Sequence, residues 1–236
     1  MWLSWSRPLR FLPIFLHLTV MVAREQQDAF RRNTLAVVYF ESVASIPSLE
    51  GEPMSKAFST VQAAVDAIAR GRVVIVLDDE DRENEGDFIC AAELATTETI
   101  KFMLQGHGQL CAPILRSACE RLDLKLIVQD NTAPLQTAFM TPVDHTGCRT
   151  GITAAERAET IRRLASPTSA ARDFVRPGHV YPLVAMEGGV LRRAGHTETA
   201  VDLARMAGLA PAGVLCEILN SSGDRATRDE LMALAE

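Results

Sequence analysis

The chain has 236 residues, 47% of them hydrophobic and 23% charged, with a formal net charge of −6. This composition fits a soluble globular domain with a real core, and the acidic balance argues against a nucleic-acid binder, which would carry a basic stripe. Cys90, Cys111, Cys119, Cys148 and Cys216 make an odd count with no C-x-x-C pair, which argues against a disulfide framework or structural zinc and fits a reducing compartment.

Residues 1–53 read differently from the rest. Arg7 and Arg10 precede an apolar run from Phe11 to Ala23, broken by Pro13 and His17 and too short to span a bilayer as a helix. The run loosely resembles a signal peptide; the plainer expectation is a disordered extension or a misassigned start. Residues 24–53 show no sustained period, and a domain is expected over 54–236. Ser59 and Gln62 have capping-box spacing ahead of a helix that Gly71 stops. Val73 to Leu77 is a β-branched apolar run and reads as a buried strand. A strand at Phe88 to Ala92, a helix at Thr97 to Gln105 and a strand at Leu110 to Leu115 follow. Ser117 and Glu120 repeat the capping-box spacing. Thr153 and Glu156 repeat it again and open a helix to Ala165, stopped by Ser166 and Pro167. Val180 to Met186 reads as a strand, Thr197 to Ala207 as a helix, Val214 to Leu219 as a buried strand, and Arg228 to Glu236 as a helix without a cap. Strands mixed with helices predict an α/β domain of α+β type, a three-layer α-β-α arrangement around a mixed twisted sheet.

Four segments carry chemistry. Asp78 to Asp87 holds seven carboxylates in ten residues directly after a strand. Charges this dense repel one another, and a divalent cation relieves them through the oxygen ligands that hard ions prefer. A solvated acidic loop is the alternative, disfavoured by the position at a strand end. In Arg192-Arg193-Ala194-Gly195-His196-Thr197-Glu198, Thr197 is a good N-cap, Arg193 and the first-turn N–H groups could hold a phosphate, and His196 could ligate a metal; a simple cap with a surface histidine competes. Arg176-Pro177-Gly178-His179 fixes one histidine rigidly, which suits acid–base work or is only a rigid turn. Glu217, inside the apolar run Val214 to Leu219, is either a paired or functional carboxylate or an edge residue facing solvent; its apolar neighbours Cys216 and Ile218 favour the first.

Taken together, D-D-E-D-R-E-N-E-G-D, R-P-G-H-V-x-P, G-H-T-E and G-V-L-C-E resemble, in order, the motifs of the 3,4-dihydroxy-2-butanone 4-phosphate synthases of riboflavin biosynthesis, over residues 57 to 234. The resemblance implies a lyase that converts D-ribulose 5-phosphate to L-3,4-dihydroxy-2-butanone 4-phosphate and formate with Mg²⁺ or Mn²⁺, two ions per site. It implies a cytoplasmic homodimer with active sites near the subunit interface, with no nucleic acid or membrane partner. Glu83 and His196 would ligate the metal. Arg82, Glu83, Asp87, Arg193, Ala194, Gly195, His196, Thr197 and Glu217 would contact substrate, and His179, Glu217 and Cys111 would act in catalysis. Thr153 and Glu156 stand where Ser and Asp are usual, and Gln105 to Gln109 is less basic than the common pattern. A further strand, or a second domain similar to cyclohydrolase II, is left open beyond Glu236. Aldol cleavage or isomerisation of another sugar phosphate would use the same metal and phosphate features without releasing formate.

Overall fold

The computed structural model describes residues 18–22, 36–40 and 58–235; most of the Phe11 to Ala23 run, the Met54 start and Glu236 lie outside them. The strand Leu18–Val22 (β1) lies within the apolar run Phe11 to Ala23, and the strand Ala36–Phe40 (β2) in the stretch where the sequence shows no period. Five-residue strands set in irregular text leave no repeat to read. Val61–Ala69 forms α1, capped by Thr60 rather than Ser59: Thr60 Oγ1 accepts the Ala63 N–H at 3.2 Å. Val74–Leu77 (β3) and Gly86–Ala91 (β4) bracket the acidic segment. Thr97–Met103 (α2), Cys111–Ile114 (β5) and Arg116–Arg121 (α3) follow. The capping box expected from Ser117 does not form, because α3 begins two residues earlier than that cap would set it and Leu115 occupies the cap.

Val143–His145 (β6) is a strand that the sequence did not announce. Ala154–Ala165 (α4) opens with the expected Thr153–Glu156 capping box. Phe174–Val184 (β7), His196–Met206 (α5) and Gly213–Glu217 (β8) complete the sheet and its cover. Arg228–Ala235 (α6) does have a cap: Thr227 Oγ1 accepts the Glu230 N–H at 3.3 Å while Glu230 Oε2 accepts the Thr227 N–H at 2.7 Å.

The sheet order is β1-β2-β3-β4-β8-β5-β7-β6. It is mixed: β2 with β3 and β5 with β7 are parallel, and the other neighbours are antiparallel. Strand alternation divides the core into two layers. Phe88, Cys90, Val214 and Cys216 point to one face and pack with Ile100 of α2, Ile161 of α4 and Leu231 of α6. Val74, Val76, Ile89 and Leu215 point to the other and pack with Ile68 of α1 and Leu203 of α5. Helices therefore cover both faces, as the three-layer expectation requires. A Cβ on Gly213 would lie 2.6 Å from the Ala200 Cβ, so a bare backbone in β8 is what lets α5 settle onto the sheet.

Helix α6 closes the first layer beside the acidic segment. Leu231 is 1% exposed and sits where a Cβ on Gly86 would meet its Cδ1 at 2.3 Å. Leu231→Ala should lower stability by about 2–5 kcal/mol through lost burial and the cavity left behind. Urea denaturation measures it; a loss below ~1 kcal/mol would show that α6 is not part of this core.

Candidate active site

Asp87 on β4 and Glu217 on β8 are register partners, and both lie on the α5 face of the sheet, beyond its apolar residues. With Cys111 of β5 they form the floor of a cavity of about 210 Å³. The acidic segment forms one wall through Arg82, Glu83 and Glu85. The start of α5 forms another through His196 and Thr197, with Arg193 just before it. Thr137, Phe139, Leu183 and Leu215 complete the lining. Sequence reading missed Glu85 and Thr137. Glu85 lay unsingled in a row of carboxylates, and Thr137 sits in a segment without pattern.

The acidic segment is ordered by Asp78, which is 2% exposed. Its Oδ2 accepts Arg82 Nη1–H at 2.6 Å and the Glu83 N–H at 3.2 Å, and its Oδ1 accepts the Glu85 N–H at 2.9 Å. Arg82 also donates to Glu83 Oε2, and Asn84 takes a positive φ of 51° at the turn. Glu83 and Asp87 thereby reach the same nitrogen of His196: Nδ1 is 3.7 Å from Glu83 Oε2 and 3.7 Å from Asp87 Oδ1.

His196 Nε2 lies 3.2 Å from the Val76 carbonyl oxygen. A carbonyl only accepts, so Nε2 carries a proton and Nδ1 is the nitrogen offered to the cavity. Burial alone would lower the His196 pKa, but the charges of Asp87, Glu83 and Asp78 outweigh it and raise it to about 9. Burial pushes Asp87 up to about 7 against the pull of His196, helped by Glu217, Glu85 and Glu83. Burial also works to raise Glu83, yet His196 and Arg82 hold it down at about 2. Burial lifts the Cys111 thiol well above its ordinary range.

These residues fit a divalent cation. Asp87 Oδ1 is buried and has no hydrogen-bond partner, beside an imidazole nitrogen and a second carboxylate. Ligand atoms of Asp78, Glu83 and His196 lie within 4.8 Å of one another. The three hydrogen bonds that Asp78 already accepts make it the support of the set, and Glu83 and His196 the residues that present an oxygen and Nδ1 toward an ion. Oxygen-rich donors of this kind suit a hard ion such as Mg²⁺.

A second feature suits an anion. Helix α5 starts at His196 with Gly195 as its N-cap and no side-chain cap. Thr197 is inside the helix, not its cap, because the Thr199 N–H already reaches the Gly195 carbonyl at 3.0 Å. The first-turn N–H groups thus stay open to a ligand. A Cβ on Gly195 would lie 2.5 Å from Arg193 Nη1 and 2.9 Å from Arg82 Nη2, so two guanidinium groups flank this helix end. Arg193 is held by Glu198 Oε2 at 2.8 Å and Thr137 Oγ1 at 3.0 Å. Glu198 Oε1 accepts the Met186 N–H at 2.9 Å, and Asp202 Oδ2 accepts the Val190 N–H at 2.9 Å. Ala194 and Gly195 are not on the cavity wall itself.

Glu217 is neither solvent-facing nor sealed in the core. Its Oε2 accepts the Gln109 N–H at 2.6 Å, in space that a Cβ on Gly108 would invade at 2.7 Å. His179 does not join the other residues within one chain. It is absent from the cavity lining and pairs instead with Asp144 on β6, Nδ1 to Oδ2 at 2.8 Å, its side chain 41% exposed. β7 carries it to the far side of β5, toward the β6 edge.

Comparison with known proteins agrees with this architecture. The family model described as 3,4-dihydroxy-2-butanone 4-phosphate synthase matches residues 62–236. The riboflavin biosynthesis protein RibBA of Bacillus mycoides is 52% identical over 180 residues, 76% of this chain and 45% of its own length. Among solved structures, RibBX, a two-domain 3,4-dihydroxy-2-butanone 4-phosphate synthase from A. baumannii, superposes with a TM-score of 0.73 at 45% identity, covering 75% of this chain and 53% of that one. A 3,4-dihydroxy-2-butanone 4-phosphate synthase in complex with two magnesium ions gives 0.71 at 41%, covering 75% and 89%. The chain spans less than half the length of the curated relative it matches. With sequence, fold and family model in agreement over three quarters of its length, the chain belongs to the 3,4-dihydroxy-2-butanone 4-phosphate synthase family.

Proposed function

We propose that this chain converts D-ribulose 5-phosphate to L-3,4-dihydroxy-2-butanone 4-phosphate and formate. The observation that carries this reading is one cavity in which an anion cradle, a cation-binding set and two carboxylates meet. Arg82, Arg193 and the open end of α5 would hold the phosphate. That contact fixes the sugar across the β4–β8 floor, over Asp87 and Glu217. Enolisation requires a base beside the substrate carbonyl. Asp87, buried on that floor with Oδ1 unpaired, is placed to exchange a proton with the substrate, as such a base must. Glu217, held by the Gln109 N–H, faces the same space and takes the role of second proton carrier. Mg²⁺ or Mn²⁺, two ions per site in this reading, would be held through Glu83 and His196 and supply Lewis-acid stabilisation of negative charge on substrate oxygens. Cys111 stays a neutral thiol on the floor and shapes the cavity near the reacting carbons. Incubation with ribulose 5-phosphate and Mg²⁺ should release formate; EDTA should stop it reversibly, and Glu83→Gln should abolish it with the fold intact. Turnover without formate would favour an isomerase or aldolase, and full activity in EDTA would remove the metal.

Ion binding should be steeply pH-dependent. The His196 proton, with a pKa of about 9, must leave Nδ1 before an ion can bind there. Its folded pKa is raised, so protons compete below 9 and apparent Mg²⁺ affinity falls as pH falls, ~10-fold per unit for one displaced proton. Calorimetric titration at two pH values should show tighter binding and proton release at the higher one. An affinity independent of pH would exclude His196 from the ion's ligands.

We infer further that the active form is a homodimer in which His179 serves the partner's cavity, because its own chain leaves it outside. The free thiols of all five cysteines and the phosphorylated substrate suit the cytoplasm, and no helix among the described residues is long and apolar enough to cross a membrane. His179→Ala and Glu83→Gln chains, each inactive alone, should regain about a quarter of wild-type activity when mixed and re-associated. No recovery in verified mixed dimers would place His179 in the site of its own chain.

A further inference from the structure

We propose that Asp144 is the positioning residue for His179: its carboxylate fixes the imidazole with the proton on Nδ1, leaving the Nε2 lone pair as the proton acceptor. The inference rests on the reading above, in which His179 is catalytic. The sequence did not single out Asp144, and it is no part of the cavity lining.

One carboxylate grips both the main chain and the ring of a single residue. Asp144 Oδ1 accepts the His179 N–H at 2.9 Å, and Oδ2 lies 2.8 Å from Nδ1. With one oxygen tied to the backbone, the carboxylate cannot turn away from the ring without breaking a second bond. A carboxylate is an acceptor, so the shared proton belongs to Nδ1. The strands are deformed to bring the two together. Asp144 pairs with Val175 and Val143 with Val180, so residues 176–179 bulge out of the ladder and re-aim the histidine. A Cβ on Gly178 would meet the Val143 carbonyl carbon at 2.0 Å, and one on Gly151, at φ +82°, would meet Asp144 Oδ2 at 2.0 Å. Two glycines thus clear the space in which the pair is held. The Asp144 side chain is 8% exposed while His179 is 41% exposed, a buried anchor behind an accessible ring.

In the reaction, Nε2 would take a proton from a substrate carbon or hydroxyl, and the imidazolium so formed would be stabilised by Asp144. Nε2 would return that proton in a later step, and the Nδ1 proton would never leave.

Asp144→Asn separates this role from a structural one. An amide offers one acceptor oxygen in place of two, so it cannot serve both N–H groups, and its NH₂ favours the opposite tautomer. The experiment combines ¹⁵N-histidine NMR, with His179 resonances assigned by their loss in His179→Gln, and formate release from ribulose 5-phosphate with Mg²⁺. Expected are an Nδ1–H tautomer in the wild-type chain, an Nε2–H tautomer in Asp144→Asn, and kcat lower by about 10³–10⁴-fold with KM and melting temperature little changed. A wild-type His179 protonated on Nε2, or an Asp144→Asn chain with kcat intact, overturns the proposal. Should Asp144→Asn fail to fold, the wild-type tautomer decides alone. Absence of formate from the wild-type chain overturns the lyase reading instead, and the tautomer spectrum still reports whether Asp144 sets the ring.

Discussion

The end of the sheet depends on how a run of like charges folds back on itself. Seven carboxylates in ten residues would ordinarily extend into solvent. Asp78 prevents this by accepting three hydrogen bonds from the segment that follows it. Two of those donors are the backbone N–H groups of Glu83 and Glu85, and the third is the Arg82 guanidinium, so main chain and one side chain fix the turn together. Arg82 neutralises Asp78 and Glu83 together, and His196 supplies the remaining positive charge. Asp87 Oδ1, buried beside this group, is left without a hydrogen-bond partner.

This arrangement divides labour between stiff and adjustable parts. Asp87, Glu217 and Cys111 stand on adjacent strands, and their spacing is set by the sheet ladder. Glu83 and Glu85 stand on a turn, where small backbone rotations can adapt to an ion. Sites gain precision when reacting groups sit on regular elements and gain tolerance when ligands sit on loops. Here both are within one cavity because β3 and β4 deliver the two ends of the same short turn.

Most of the helices and strands from Ser59 onward were legible because each is an apolar run or period bounded by a cap, a glycine or a proline. The chemistry-bearing motifs were legible as residue types: Glu83, His196, Asp87 and Glu217 do converge. What could not be read was pairing across long separations. Asp144 and His179 are 35 positions apart, and β6 offers only three residues to announce a strand. Thr137 lines the cavity bonded to Arg193, 56 positions along the chain. Helix ends were misread for a local reason: neighbouring Ser59 and Thr60 both suit a cap, and Gly195 needs no side chain to serve as one. The charge balance around His196 was also invisible, since it arises from burial and from distances that no linear spacing encodes.

Glu198 and Asp202 lie on consecutive turns of α5 and tie down the segment before it through the Met186 and Val190 N–H groups. The conformational entropy of that segment is therefore lost when the chain folds, not when a ligand arrives. A phosphate bound there, as proposed above, would meet donors already in place. Association at this end of the cavity would then resemble rigid docking governed by diffusion and charge steering, with any adjustment left to the acidic turn opposite.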